Sequence, residues 1–161
     1  MSTVQADSRG ADADGSGAAA DAGLPRALIV ARGFLGTPYR HQGSRRGVGC
    51  DCLGLLRGVW RELQGAEPED PGPYRVDWAT RSGPDRLLEG ARRHLREIAR
   101  ADARPGDVLL FRWRVGAPAT HCGILDAEDR LIHAYEAASV VSSPMPHAWT
   151  RCIAGAFRFP E

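Results

Sequence analysis

Three residues have the types and the order of a nucleophilic catalytic site: Cys52, His121 and His133. Cysteine hydrolases and acyltransferases need a thiolate, an imidazole that shares its proton, and a third polar group that orients the imidazole. Asp51 is a favoured N-cap residue, and apolar residues with helical spacing follow it directly. This pattern places Cys52 in the first turn of a helix, where free amides and the helix dipole stabilise a thiolate. Cys52 is therefore the predicted nucleophile.

The two histidines lie on neighbouring predicted strands, 120–126 and 131–136, and the register of that hairpin decides whether they can meet. If the numbers of paired residues have an even sum, one buried face receives Cys122, Ile124, Ile132 and Ala134. The opposite face then receives His121, Gly123, His133 and Tyr135. An odd sum would mix histidines with core residues on both faces. The apolar pattern thus predicts the even register, with both histidines on one surface.

Helical patterns precede strand patterns in the folded part of the chain. The predicted helices start at Leu24-Pro25, at Asp51 and at Pro84; the third carries Leu95 and Ile98 on its apolar side. The predicted strands are 108–113, 120–126, 131–136, 139–142 and 152–159. This order predicts an α+β domain in which the cysteine helix packs against an antiparallel sheet.

Two connecting segments show no periodic pattern. Residues 39–49, rich in Gly, Ser and basic side chains, are predicted to be a loop. The proline-rich residues 66–80 predict an ordered surface excursion pinned by Tyr74 and Trp78.

Composition limits the classes of function. The chain has 161 residues, which suits one domain, and its 21 arginines are balanced by 20 carboxylates to a net charge of +1. That balance disfavours nucleic-acid binding, and no apolar run approaches the roughly 20 residues of a membrane span. Residues 1–23 are rich in Ala, Gly and Asp and are predicted to be a disordered leader before a folded domain at 24–161. The leader lacks the pattern of a secretory signal, so synthesis in the cytoplasm is expected.

The four cysteines are expected to be free thiols, and a metal site is a weaker interpretation of them. Zinc could be held by Cys50 and Cys52 with His121, Cys122 and His133. Structural zinc sites, however, prefer two to four residues between paired cysteines, and here there is one. No metal or cofactor is predicted. The tryptophans at 60, 78, 113 and 149 are interpreted as packing or surface residues.

Five short blocks resemble, in the same order, the signature blocks of the NlpC-type papain-like cell-wall peptidases. They are Gly36–Arg40, Asp51–Leu55, Pro105–Phe111, His121–Ile124 and Ile132–Ala134. The resemblance spans roughly residues 24 to 158. The run Cys-Asp-Cys-Leu-Gly-Leu and the proline-rich insertion look most like the peptidases encoded with phage tails and gene transfer agents.

The resemblance implies a papain-like α+β fold and a role for each site residue. Cys52 would be the nucleophile, His121 the base and His133 the group that orients it, while Tyr39 and Asp51 would lie at the oxyanion or substrate. The implied substrate is the peptidoglycan stem peptide, cut between D-glutamate and the diamino acid. The implied partners are phage-like tail or baseplate proteins, which would carry the enzyme in a particle tail to the cell wall.

Two departures from the family pattern keep alternatives open. Leu53 stands where the family usually has Ser, which puts the cleaved bond in doubt, and a loop one residue longer makes Cys50 a competing nucleophile. Choosing Cys50 would put Cys52 where the family has Gly, so Cys52 is preferred. The alternative functions are an amidase or acyltransferase on the same scaffold and a non-catalytic tail-tip protein. The last would be marked by a Cys52–His121 separation beyond hydrogen-bond reach.

Overall fold

A computed structural model describes residues 21–75, 83–136 and 138–161. Its helices are α1 (Arg26–Arg32), α2 (Cys52–Gln64), α3 (Arg86–His94) and α4 (His147–Thr150), with a 3₁₀ turn at Arg100–Asp102. Its strands are β1 (Ser44–Arg45), β2 (Gly49–Cys50), β3 (Arg96–Ile98), β4 (Val108–Phe111), β5 (His121–Ala127), β6 (Arg130–Ala134), β7 (Val140–Pro144) and β8 (Ile153–Arg158). The leader prediction for residues 1–20 and the pinning role of Trp78 lie outside the described residues.

Six strands form one antiparallel sheet in the order β3-β8-β4-β5-β6-β7, and β1 and β2 form a separate small hairpin. The helices α1 and α2 pack against β5, close to the middle of this sheet. The predicted α+β class, with the cysteine helix on an antiparallel sheet, is therefore confirmed. No helix in the described ranges is long and apolar enough to cross a membrane.

The core between α2 and the sheet is built from the apolar stripe read in the sequence. Leu55, Leu56 and Val59 of α2 are buried in one cluster with Ile124 and Ile132 of the sheet. Removing such a side chain from water stabilises the fold by about 1.5–3 kcal/mol. The stripe and its end at Gly65, where φ is +89°, explain why the predicted and observed helices nearly coincide.

His121 and His133 share one face of the sheet as predicted, and that face is covered rather than open. A second apolar cluster, formed by Leu109, Phe111, Leu125, Leu131 and Ala156, lies on this side of the sheet. Partly buried side chains from the segment before β8, Trp149 among them, pack against it. His133 is consequently 3% exposed. The strands are buried on both faces, which alternation of polar and apolar residues alone does not reveal.

The β5–β6 hairpin changes register along its length. Ile124 pairs with Ile132 and Leu125 with Leu131, so the predicted even sum is confirmed at this end of the hairpin. Nearer the turn Ala127 pairs with Arg130, and the sum becomes odd. The bulge leaves Asp126 as the extra residue. The turn and the site therefore follow different registers.

Two element predictions need correction. The third helix ends at His94, because Leu95 is extended and residues 96–98 pair with β8, so Ile98 belongs to a strand. The predicted loop at 39–49 contains the hairpin β1–β2. In both places backbone hydrogen bonds to another strand outweigh the local pattern.

Candidate active site

Cys52 is the first residue of α2, and its backbone is held by the preceding cap. The Asp51 carboxylate oxygen Oδ1 accepts a hydrogen bond from the amide of Gly54 at 2.7 Å. The residue as a whole is half-buried. Hydrogen bonds from Cys122 and from His121, together with the charge of His121, lower the pKa of Cys52 well below its usual value despite desolvation and the nearby Asp51. The surroundings of Cys52 therefore favour the thiolate form.

Gly54 allows the first turn of α2 to press against the loop before it. A Cβ atom at this position would lie 1.7 Å from the carbonyl oxygen of Gly43. The same carbonyl accepts a hydrogen bond from the amide of Asp51 at 3.2 Å. A side chain at position 54 would thus push the helix start and Cys52 away from this loop.

Cys50 has the opposite environment. It lies in β2, is fully buried, and its amide donates to the carbonyl of Pro38 at 3.0 Å. Burial, with the charges of Asp51 and Cys52, raises the pKa of Cys50 to about 12. Such a thiol stays protonated and is shielded from substrate, which favours Cys52 as the nucleophile.

The two histidines and a serine form a chain of hydrogen bonds on the other side of the thiol. His121 Nε2 lies 3.0 Å from His133 Nδ1, and His133 Nε2 lies 2.9 Å from the hydroxyl oxygen of Ser143. Burial, and secondarily repulsion from His121, lowers the pKa of His133 to about 4. His133 is therefore neutral at physiological pH and able to accept a hydrogen bond from His121.

These hydrogen bonds fix which ring nitrogen of His121 faces the thiol of Cys52. With Nε2 of His121 engaged by His133, Nδ1 is the ring nitrogen left to accept the proton of Cys52. Neutral His133 then accepts at Nδ1 and donates from Nε2 to Ser143. His121 lies close enough to Cys52 to lower the pKa of its thiol, which the long separation expected of a non-catalytic protein would not allow.

The sequence did not identify Ser143, or the aromatic side chains beside the histidines, as parts of the site. Trp149 lies edge-on to both imidazoles, with ring centroids 5.9 Å from His121 and 5.7 Å from His133, and Trp113 stacks on His121 at 6.0 Å. The tryptophans do pack, as interpreted, but they pack around the site. For Ser143 a signal existed: His133 pairs with Val141, and strand alternation puts Ser143 on the same face.

Asp51 directly precedes Cys52, and Tyr39 lies close enough for the charge of Cys52 to affect its pKa. The second carboxylate oxygen of Asp51 accepts from the Gln42 amide at 2.7 Å and from the Tyr74 hydroxyl at 2.6 Å, and the residue is 3% exposed. Protein donors thus already engage this carboxylate. Burial, with the charges of Asp51, Cys52 and Glu136, raises the pKa of Tyr39 to about 12. Tyr39 therefore keeps a hydroxyl proton to donate.

Tyr74 holds the proline-rich segment next to the nucleophile, as predicted for this residue. Besides the hydrogen bond to Asp51, its carbonyl lies 2.8 Å from His41 Nε2 and accepts from the Gln42 side chain at 2.5 Å. Across the ranges that the structure describes, no three or more His, Cys, Asp or Glu side chains are grouped to hold a metal ion.

Comparison with known proteins identifies the domain. The NlpC/P60 family profile matches residues 36–158. The chain is 28% identical over 115 residues to a probable endopeptidase, NlpC, of Escherichia coli K12, covering 71% of this chain and 63% of that protein. The chain thus spans less than two thirds of that relative.

Solved structures of the same family share the fold. NlpC1 of Trichomonas vaginalis matches 83% of this chain and 42% of its own, with a TM-score of 0.60 and 20% identity. The NlpC/p60 domain of the peptidoglycan hydrolase SagA matches 83% of this chain and 97% of its own, with a TM-score of 0.54 and 23% identity. The profile match covers most of the chain and includes Cys52, His121 and His133. The chain belongs to the NlpC/P60 family, whose members are peptidases that hydrolyse peptidoglycan.

Proposed function

We propose that this chain is a cysteine endopeptidase that cleaves the stem peptides of peptidoglycan. The single observation that supports this proposal best is the continuous chain from Cys52 through His121 and His133 to Ser143, inside an NlpC/P60 domain. A thiol with a lowered pKa, a base within hydrogen-bond reach and a neutral group orienting that base meet the requirements of nucleophilic acyl transfer.

In the first step His121 takes the proton of Cys52, and the thiolate sulfur attacks the carbonyl carbon of the scissile amide. The amides of Cys52 and Leu53 lie in the first helical turn, where no carbonyl within the helix is available to them. They and the Tyr39 hydroxyl are suited to donate hydrogen bonds to the developing oxyanion. The C–N bond then breaks, and the leaving amine receives the proton from His121.

In the second step water hydrolyses the thioester. His121 removes a proton from the water while the water oxygen attacks the thioester carbonyl. The C–S bond then breaks, which restores Cys52. Throughout both steps neutral His133 accepts a hydrogen bond from the Nε2–H group of His121 and stabilises the imidazolium form of His121. No cofactor takes part in the proposed reaction.

We propose the bond between D-glutamate and the diamino acid as the cleavage site, since the residues resemble peptidases with that specificity. Leu53 stands where the family usually has Ser, and its side chain lines a cavity of about 270 Å³ beside α2, together with Trp60 and Tyr74. An apolar side chain next to the nucleophile removes one hydrogen-bonding group from substrate recognition. Restoring Ser at this position tests how much it contributes to the choice of bond.

The test is mass spectrometry of purified muropeptides digested by the wild-type protein, by Cys52→Ala and by Cys50→Ala. We expect fragments from cleavage between D-glutamate and the diamino acid with wild type and with Cys50→Ala, and none with Cys52→Ala. Fragments from cleavage at the sugar–peptide amide would identify an amidase, and transfer of an acyl group to an added amine would identify an acyltransferase. Intact muropeptides with every variant would contradict hydrolysis.

We propose further that the enzyme acts as part of a phage-like tail, made in the cytoplasm and carried to the wall. The support is the resemblance of residues 50–55 and of the proline-rich insertion to tail-encoded peptidases. Cosedimentation of the full chain with purified particles, compared with a chain lacking residues 1–22, tests this role. Absence of the full-length protein from the particles would exclude it.

A further inference from the structure

Cys122 gives the nucleophile a second thiol that catalysis does not use. It directly follows His121 on β5, so strand alternation sends its side chain to the opposite face, the one that α2 covers. There it is fully buried in the same apolar cluster against which Cys52 packs. Cys122 is also the largest single influence that lowers the pKa of Cys52, and both cysteines are free thiols.

We propose that Cys52 and Cys122 form a reversible disulfide when the protein meets a peroxide, and that this bond protects the nucleophile from irreversible oxidation. The three cysteines in this part of the domain differ in exposure. Cys52 is half-buried, whereas Cys122 and Cys50 are fully buried. The attacking thiol and the resolving thiol are thus distinguished by position.

The first step forms a sulfenic acid. The sulfur of Cys52 attacks one oxygen of the peroxide, the O–O bond breaks, and the departing hydroxide takes up a proton and leaves as water. The sulfur is oxidised by two electrons and the peroxide is reduced. This step requires the thiolate, which the hydrogen bonds at the helix start favour.

The second step closes the disulfide. The sulfur of Cys122 attacks the sulfur of Cys52, the S–O bond breaks, and the departing hydroxide takes the proton of Cys122 to give a second water. In the reduced protein the hydrogen bond to Cys52, burial and the negative charge of that thiolate keep the pKa of Cys122 well above its usual value. Oxidation of Cys52 removes this charge and so makes the proton of Cys122 easier to lose. In sum, two thiols and one peroxide give one disulfide and two waters.

Cys50 is the matched control, because it is also close to Cys52 but is placed differently. Only Asp51 separates the two, and the change from strand β2 to helix α2 takes place at that residue. Cys50 lies with its backbone in hydrogen bonds on both sides, to Pro38 and to Arg40. Linking Cys50 to Cys52 would disrupt the helix start, whereas Cys122 lies in the apolar cluster against which Cys52 already packs.

The test treats the reduced full-length chain with hydrogen peroxide and maps the products without reduction. We expect the wild-type protein to lose about 2 Da and to yield a tryptic pair joining residues 47–57 to residues 115–130, with fragmentation placing the link at Cys52. Cys50→Ala should give the same pair. Cys122→Ala should instead gain about 32 Da at Cys52 as sulfinic acid. Cys122→Val, which fills the buried site, serves if the alanine variant does not fold.

Activity gives a second readout, normalised to the untreated activity of each variant. After peroxide treatment, dithiothreitol should restore at least nine tenths of the activity of the wild-type protein. It should restore less than one tenth of the activity of Cys122→Ala. A Cys50–Cys52 link, sulfinic acid in the wild-type protein, or equal recovery in both proteins would overturn the proposal. The mass readout stands even if the chain does not cleave peptidoglycan, so the two proposals fail separately.

Discussion

Cys50 and Cys52 have the same side chain and lie two positions apart, yet their chemistry differs. The first ends a strand, is fully buried and has a pKa raised to about 12. The second begins a helix, is half-buried and has a lowered pKa. The element boundary at Asp51 separates them. The comparison shows that reactivity here follows from backbone placement and neighbours more than from the presence of a thiol.

Replacing each cysteine by alanine should give the largest contrast. Cys52→Ala should lower kcat/KM on muropeptides by at least about 1000-fold, because no other group replaces the nucleophile. Cys50→Ala should stay within about threefold of wild type and cost stability only through a small cavity. Equal losses, or a loss in Cys50→Ala alone, would reverse the assignment.

Removing the histidines tests what makes Cys52 different. His121→Ala should lower kcat by about 100- to 10,000-fold, since the thiol then lacks its base. His133→Ala should lower kcat less than His121→Ala does. His133→Asn should lower it less still, because an amide oxygen can accept the hydrogen bond from the Nε2–H group of His121. The same kcat for all three variants would show that His133 does not act through His121.

Acid unfolding should reveal the buried His133. Its pKa falls from an ordinary value near 6.5 to about 4 on folding, so between these values the unfolded chain binds the proton and the folded chain does not. Stability is therefore lost as the pH falls from about 6.5 to about 4, by at most about 3 kcal/mol. In urea unfolding experiments across this pH range, the free energy of unfolding should depend less steeply on pH in His133→Asn than in the wild-type protein. Parallel slopes in the two proteins would mean that His133 is charged in the fold.

The cap at Asp51 holds Cys52 at the helix start, and weakening it should have a smaller effect. Asp51→Ala should lower the free energy of unfolding by about 1–2 kcal/mol, since the amide of Gly54 loses its acceptor. Asp51→Asn keeps an oxygen for that amide and should retain more stability and activity. If the alanine variant matches wild type in chemical denaturation and in kcat, the cap does not position the thiol.

The smallest effect is expected from the leader. A chain without residues 1–22 should keep the melting temperature and the activity of the full chain, because that composition provides no core. Calorimetry and muropeptide turnover measure both. A fall of several degrees would show that the leader packs on the domain.

Local patterns predicted what local forces determine. The apolar stripe and the caps located α2, and burial of Ile124 and Ile132 located the register that joins the histidines. The bulge at Asp126 was not predictable in this way. Its carboxylate accepts hydrogen bonds from Arg32 at 2.7 Å and from Ser142 at 2.5 Å, and Arg32 is 94 positions away in the sequence.

The rest of the site was missed for the same reason. Trp149 reaches the histidines from the segment before β8, and Cys122 reaches Cys52 only once α2 has packed on β5. The end of α3 was misjudged because residues 96–98 pair with a strand some 60 positions later. Contacts between distant segments leave little trace in a single sequence.

The hydrogen bonds of the site have a consequence for folding. His121 and His133 are 12 positions apart, and His133 and Ser143 are 10 apart, so the proton chain belongs to one meander of neighbouring strands. The cap that holds Cys52 closes over three positions. Each half can thus form through short loops, which close quickly. Only the docking of α2 on the sheet brings the halves together, so regain of catalysis during refolding should report the formation of that long-range contact.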